Sequence, residues 1–257
     1  MSNMLQFKKR LANHSTLFGP AITLSDYHVT DALAPDADFI WIDLEHCAMS
    51  PEVFGSHLIA ARVHNTPALV RVSHTSTPFI KTVLDAGAEG VIIPQVRSVS
   101  EVRAVIDDCY YPPAGKRGYG PRVPGCYGRH SGPAFMEEQN TAVFVGIQIE
   151  TLEAVEQLEA ISSVQGVTSL VIGPYDLSIA LGVPGELEHP KLLSTVDKIT
   201  DICSRKGLYA GAGMGANEKY AEVLLAHGVQ WLQVGSDFDY LVQRGTAILS
   251  LLRERTR

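Results

Sequence analysis

Two carboxylates, Glu150 and Asp176, each close a short apolar run, in Val145-Gly146-Ile147-Gln148-Ile149-Glu150 and Leu170-Val171-Ile172-Gly173-Pro174-Tyr175-Asp176. The runs read as consecutive buried strands, so the two carboxylates can share one ligand. With the neutral amide of Gln148 beside them they make a hard oxygen site, suited to Mg2+ or Mn2+ and leaving room for a bidentate small ligand such as a 2-oxo acid. The nine histidines include no H-x-x-x-H or H-E-x-x-H pair, which disfavours zinc. A second group lies in Asp43-Leu44-Glu45-His46. An aspartate accepting from one imidazole nitrogen raises the basicity of the other, so Asp43 and His46 form a candidate proton-transfer pair. Arg71 has a fixed charge and can stabilise an enolate oxygen. None of the lysines (Lys8, Lys9, Lys81, Lys116, Lys191, Lys198, Lys206, Lys219) ends a predicted strand, so Schiff-base chemistry is not available and a metal must be the electron sink. Cys47 reads as a packed thiol. Taken singly, Asp176 can cap the helix that follows it and Arg71 can simply pair with a carboxylate.

The elements that must position these groups alternate along the chain. Strands are predicted at Phe18–Thr23, Asp38–Leu44, Ala68–Val72, Gly90–Pro94, Ala142–Ile149, Ser169–Gly173, Leu208–Gly213 and Gln230–Gly235. Helix signals separate them: Ser50-Pro51 and Thr77-Pro78 as cap and first turn, a capping box at Ser98-x-x-Glu101, and Gly87 as a helix stop. Strict alternation implies a parallel sheet, and eight units in 257 residues imply a closed (β/α)8 barrel forming one domain, 1–257. No glycine-rich phosphate turn follows the first strand, which disfavours an open doubly wound sheet. A period of two aims Trp41, Asp43, Glu45, Arg71, Gln148 and Glu150 into the barrel and the aliphatic residues outward. Polar groups from several strands thus converge on one rim, where burial is costly unless they bind something. The segment Tyr110–Pro133 is long for a connection, and such segments are usually functional or mobile.

The net charge of -7 leaves no basic stripe for nucleic acid. The cluster Lys8-Lys9-Arg10 reads as a solvated face of a short N-terminal helix. The four cysteines are scattered and read as reduced thiols of a cytoplasmic protein. No stretch approaches 18 consecutive apolar residues, so no membrane span is expected.

Six segments carry a resemblance: Asp43-Leu44-Glu45-His46, Leu69-Val70-Arg71-Val72, Asp85-Ala86-Gly87-Ala88 with Gly90–Gln95, Lys116-Arg117-Gly118-Tyr119-Gly120-Pro121, Gln148-Ile149-Glu150-Thr151 and Ile172–Ser178. In order and over nearly the whole chain they resemble the HpcH/HpaI aldolases, class II pyruvate aldolases acting on 4-hydroxy-2-oxo acids. The resemblance implies Glu150 and Asp176 as ligands of a divalent ion (Mg2+, Mn2+ or Co2+), with Gln148 close by. It implies His46 and Asp43 as a base dyad acting with metal-bound water, Glu45 as its support, and Arg71 on the pyruvate oxygen. The backbone of Gly173, Pro174, Tyr175 and Asp176 would receive the pyruvate carboxylate, and Asp85 would reach a neighbouring subunit's site. Hexamers built from dimers with an exchanged C-terminal helix are the expected assembly. The chain departs from the family after Pro121, where Arg122, Tyr127 and Arg129 stand in a loop that shapes the aldehyde pocket. Two other readings predict different features. A citrate-lyase-like enzyme on an acyl-CoA or dicarboxylate would favour a basic patch for nucleotide phosphate, and a silent 2-oxo-acid sensor would lack one of Glu150, Asp176, Arg71 or His46.

Overall fold

Alternating aliphatic and small or polar residues give each strand two apolar-tolerant faces, and a strand of that kind is stable only between a helix layer and a filled interior. The computed structural model, which describes residues 2–73 and 77–256 apart from the side chains of Thr77 and Pro78, shows that arrangement. Eight parallel strands close in sequence order: β1 (Leu17–Ile22), β2 (Ile40–Asp43), β3 (Ala68–Arg71), β4 (Gly90–Ile93), β5 (Phe144–Ile149), β6 (Ser169–Ile172), β7 (Tyr209–Met214) and β8 (Trp231–Ser236). Helices α1 (Asn3–Ala12), α2 (His28–Leu33), α3 (Pro51–Val63), α4 (Thr77–Asp85), α5 (Val99–Cys109) and α6 (Gly132–Ala142) accompany the first half. The second half carries α7 (Leu152–Glu156), α8 (Leu158–Ile161), α9 (Pro174–Ala180), α10 (Pro190–Lys206), α11 (Glu218–Ala226) and α12 (Asp237–Arg255). This is the expected (β/α)8 barrel, and all eight predicted strands are present.

The local signals act as predicted where the side chains are described. Ser50 accepts from Val53 N, and Pro51 occupies the first turn of α3. Ser98 accepts from Glu101 N, although Glu101 itself takes the N–H of Arg97 rather than that of Ser98. Gly87 follows α4 with φ +109°, a conformation that side chains resist. The Thr77–Pro78 cap lies outside the described side chains. Among the described residues no helix is long and apolar enough to cross a membrane.

Two hydrophobic layers hold the barrel. Val70, Val145, Ile147 and Ile149 face the helices, whereas Trp41, Leu69, Ile92, Phe144 and Trp231 fill the interior. Helix α1 closes the strand-N-terminal end. Its Phe7 ring meets Phe39 and Phe144 edge-on at 5.6 Å, and Trp231 at 6.4 Å. Lys8 corrects the expectation of a solvated cluster: it donates to the carbonyls of Thr141 (3.0 Å) and Val143 (2.8 Å), and burial lowers its pKa to about 8. Those two carbonyls at the end of α6 lack helical partners, so a cation there satisfies them.

Glu89 fastens α1 from the barrel side, its Oε1 accepting from Met4 N at 3.3 Å, and burial pushes its carboxyl up to about 7. Folded Glu89 therefore keeps a proton that the unfolded chain, near 4.5, has already released. That contribution to stability is complete below the unfolded value and is lost as pH rises through the folded one. Glu89→Gln should stabilise the protein by about 2 kcal/mol more at pH 8 than at pH 5. Urea unfolding at the two pH values measures this, and a variant with the wild-type pH slope would remove Glu89 as the source.

Candidate active site

Asp43 and Arg71 end neighbouring strands in direct register, so their inward side chains meet. Arg71 forks onto Asp43, Nε to Oδ1 at 2.9 Å and Nη2 to Oδ2 at 2.7 Å. Its Nη1 lies 3.1 Å from Glu45 Oε2, and its guanidinium sits 5.7 Å from the centre of the Trp41 ring. Asp43 Oδ1 also accepts from Glu45 N at 3.0 Å, a local turn that fixes the chain after β2. One planar cation thus serves two carboxylates with the geometry that arginine alone provides.

This arrangement corrects the expected Asp43–His46 pair. Both Asp43 oxygens belong to Arg71, and the turn carries His46 outward, its side chain 66% exposed, with Nε2 3.7 Å from Glu45 Oε2. A bidentate guanidinium is a stronger partner for a buried carboxylate than an imidazole on an exposed turn.

Glu150 follows β5 and is buried. Its Oε1 accepts from Gln95 N at 2.6 Å and its Oε2 from Gln148 Nε2. Gly173, at the end of β6, makes room for it: a Cβ there would stand 2.5 Å from Glu150 Oε2 and 2.8 Å from Gln148 Nε2. Burial pushes the Glu150 carboxyl up to about 7, with Glu45 and Asp176 adding to the rise against the Gln95 N–H and Arg71. Burial likewise raises Glu45, with Arg71 opposing it. Asp176 sits in the first turn of α9, after Gly173 and Pro174, with Tyr175 beside it largely exposed. The structure so brings together Asp43, Glu45, Arg71, Gln148, Glu150, Gly173 and Asp176 at the strand-C-terminal end.

The charges in this mouth do not balance. Among the described residues four carboxyl groups (Asp43, Glu45, Glu150, Asp176) face the guanidinium of Arg71, and Gln148 Oε1 is buried without a partner. The donor chemistry of that oxygen set is of the kind a divalent ion takes, and Glu150 and Asp176, on two adjoining strand ends, would be the residues to hold one. Among the described residues no three His, Cys, Asp or Glu side chains cluster so as to hold a metal ion by themselves. Cys47 is not a nucleophile here: its Sγ donates to Asp43 O, and burial pushes the thiol up to about 11.

Asp85 and Arg122 lie elsewhere. Helix α4 returns from the mouth to the strand-N-terminal end, and Asp85 is its last residue, just ahead of β4. Arg117 Nη2 donates to Asp85 Oδ1 at 2.8 Å while its guanidinium lies 4.6 Å from the Tyr111 ring centre. The loop carrying Arg122 packs beside them: Gly120 abuts Asp85, and Val123 abuts Gly87. Arg122, Tyr119, Tyr127 and His130 rim an open cavity of about 620 Å3. The loop follows α5, so Arg122 stands at the strand-N-terminal end, away from the Glu150 cluster of its own chain. Two roles escape sequence reasoning: the Gln95 backbone N–H on Glu150 and, at the other end, Arg117 on Asp85. Neither leaves a composition or periodicity signal, although both Gln95 and Arg117 lie in family-like segments.

Comparison with known proteins places the chain in a family. Residues 15–243 match the family described as HpcH/HpaI aldolase/citrate lyase. A 4-hydroxy-2-oxovalerate aldolase of Rhodococcus jostii is 35% identical over 248 residues, covering 94% of this chain and 93% of the relative. A hydroxypyruvate/pyruvate aldolase of Roseobacter denitrificans is 30% identical and covers 94% of each chain. The crystal structure of an HpcH/HpaI aldolase from Desulfitobacterium hafniense superposes with a TM-score of 0.88 at 28% identity, covering 96% of each chain. With a family match over most of the barrel and relatives of nearly equal length, the chain belongs to the HpcH/HpaI aldolase/citrate lyase family and is a carbon–carbon lyase of the aldolase type.

Proposed function

We propose that residues 1–257 act as one (β/α)8 unit catalysing metal-dependent, reversible cleavage of a 4-hydroxy-2-oxo acid to pyruvate and an aldehyde. The observation that carries this is the Glu150 cluster, an excess of buried carboxylate with an orphaned amide oxygen at the barrel mouth. Relatives named as 4-hydroxy-2-oxovalerate and hydroxypyruvate/pyruvate aldolases support the substrate class. Glu150 and Asp176 would hold Mg2+, Mn2+ or Co2+. A bound ion would supply Lewis acidity toward the 2-oxo group.

The chain's own groups account for the rest. The first-turn amides of α9, at Tyr175 and Asp176 behind Pro174 and Gly173, lack helical acceptors and can receive the substrate carboxylate. His46, exposed at the mouth, accepts the 4-hydroxyl proton as the C3–C4 bond breaks and the aldehyde departs. The electron pair of that bond becomes the pyruvate enolate, whose oxygen Arg71 stabilises. Asp43 and Glu45 hold the guanidinium in place, and Gln148 orients Glu150. A proton delivered to C3 then completes pyruvate.

Asp85 and Arg122, remote from their own mouth, can serve chemistry only in the site of a second copy. Helix α12 offers a surface for one: of its residues only Asp237 is buried, while Leu241, Val242, Leu249 and Leu252 are more than half exposed. The proposal includes a homo-oligomer joined through α12, a hexamer built from dimers. The four unpaired cysteines suit a cytoplasmic location.

The test needs no knowledge of the aldehyde. Size-fractionated protein is incubated with pyruvate in D2O with Mg2+, Mn2+ or Co2+, and loss of the methyl proton signal is followed by NMR. Exchange that stops on chelation and travels with an oligomeric fraction is the expected result. No exchange with any of the three ions would overturn the chemistry, and full activity in a monomeric fraction would overturn the assembly.

A further inference from the structure

We infer that the Pro94–Val96 turn is a positioning element for the Glu150 carboxylate, and that Gln95 acts there through its backbone N–H rather than its side chain. Gln95 has φ +54°, the left-handed region, without being a glycine. Its side chain is exposed. Such a conformation costs roughly 1 kcal/mol and persists only where the surroundings over-determine it.

The surroundings here do so from β5 and the helix after it. Val96 is fully buried, and its carbonyl accepts from Thr151 Oγ1 at 2.8 Å. Gln157 Nε2 donates to Arg97 O at 2.8 Å, and Gln157 Oε1 accepts from Val99 N at 3.4 Å. Thr151 directly follows Glu150 and also caps α7 through Ala154 N. The residue that secures the turn is therefore the chain neighbour of the carboxylate the turn serves. The outcome is a short, charge-assisted bond from Gln95 N to Glu150 Oε1, while Gln148 and Gly173 confine Oε2.

Held on both oxygens, Glu150 can neither rotate nor withdraw. Outer-shell partners of this kind are worth about 10- to 100-fold in metal affinity. This inference rests on the metal reading proposed above.

The experiment measures Mn2+ binding to the full-length protein by the electron paramagnetic resonance signal of free Mn2+. Gln95→Gly and Gln95→Asn tolerate a left-handed backbone and should bind within about 3-fold of wild type. Gln95→Val, whose β-branched side chain resists that backbone, should bind about 10-fold or more weakly. Thr151→Val should weaken binding in the same direction and Thr151→Ser should restore it, which keeps the test decisive if Gln95→Val does not fold. Binding weakened about 10-fold in Gln95→Gly, or wild-type binding in both Gln95→Val and Thr151→Val, would overturn the inference alone. Failure of wild type itself to bind Mn2+ would overturn the metal reading and this inference with it.

Discussion

Glu150→Gln is expected to abolish metal-dependent exchange of the pyruvate methyl protons, lowering the rate by about 1000-fold, without destabilising the fold. The substitution keeps size and shape but removes the charge that draws a cation into the mouth. It also places an amide NH2 where Glu150 Oε2 now accepts from Gln148 Nε2, two donors face to face unless one amide flips. Stability should respond in the opposite sense. Burial pushes Glu150 up to about 7, so ionising it costs the folded protein free energy that a neutral amide does not. The metal-free variant should melt at or above the wild-type temperature near pH 8. Retention of a tenth or more of the activity would remove Glu150 as a metal ligand. A large fall in melting temperature would mean that the carboxylate is structural instead.

Arg71 should show the reverse pattern, with activity and stability falling together. Arg71→Ala leaves Asp43 and Glu45 facing each other without a counter-charge at positions where their side chains are only 5% and 15% exposed. Removing one partner of a buried ion pair costs about 3 kcal/mol or more. Loss of the donor to a developing oxyanion costs about 100- to 1000-fold in rate. Arg71→Lys separates the two effects. A point charge can neutralise the carboxylates but cannot fork onto Asp43 while reaching Glu45, so it should recover much of the stability and little of the rate. Chemical denaturation and proton-exchange kinetics on the two variants test this. A lysine variant as active as wild type would show that charge alone matters and that the fork onto Asp43 has no catalytic consequence.

The contrast between these residues shows what a sequence can carry. The strand-end placement of Asp43, Arg71, Gln148 and Glu150 is legible because a period of two in β2, β3 and β5 leaves only one face for polar groups. Their convergence follows from eight alternations of strand and helix, which close a sheet. Who bonds whom is not legible. Asp43 and His46 stand close enough in the chain to read as a pair, but the β2–β3 register sets Arg71 opposite Asp43 and the turn at Glu45 takes His46 outward. Gln95 belongs to the same class, since no residue pattern announces a left-handed glutamine held in place by a threonine beyond the next strand. The end of the barrel at which the Arg122 loop lies is hidden for a different reason. The loop's charge and aromatic content suggest a pocket wall, whereas its position in the chain, after α5 and beside the end of α4, sends it to the far end of the barrel.

The aromatic seal at that far end has a practical consequence. Trp41 and Trp231 are the chain's two tryptophans, their rings are 6.2 Å apart, and both side chains are essentially dry. All indole emission therefore originates inside the seal that α1 closes, where water does not quench or red-shift it. A ligand entering the opposite opening meets Arg71, whose guanidinium lies over Trp41. The molecule thus carries an optical gauge of its own integrity, one that separates a variant that has lost its substrate from a variant that has lost its shape.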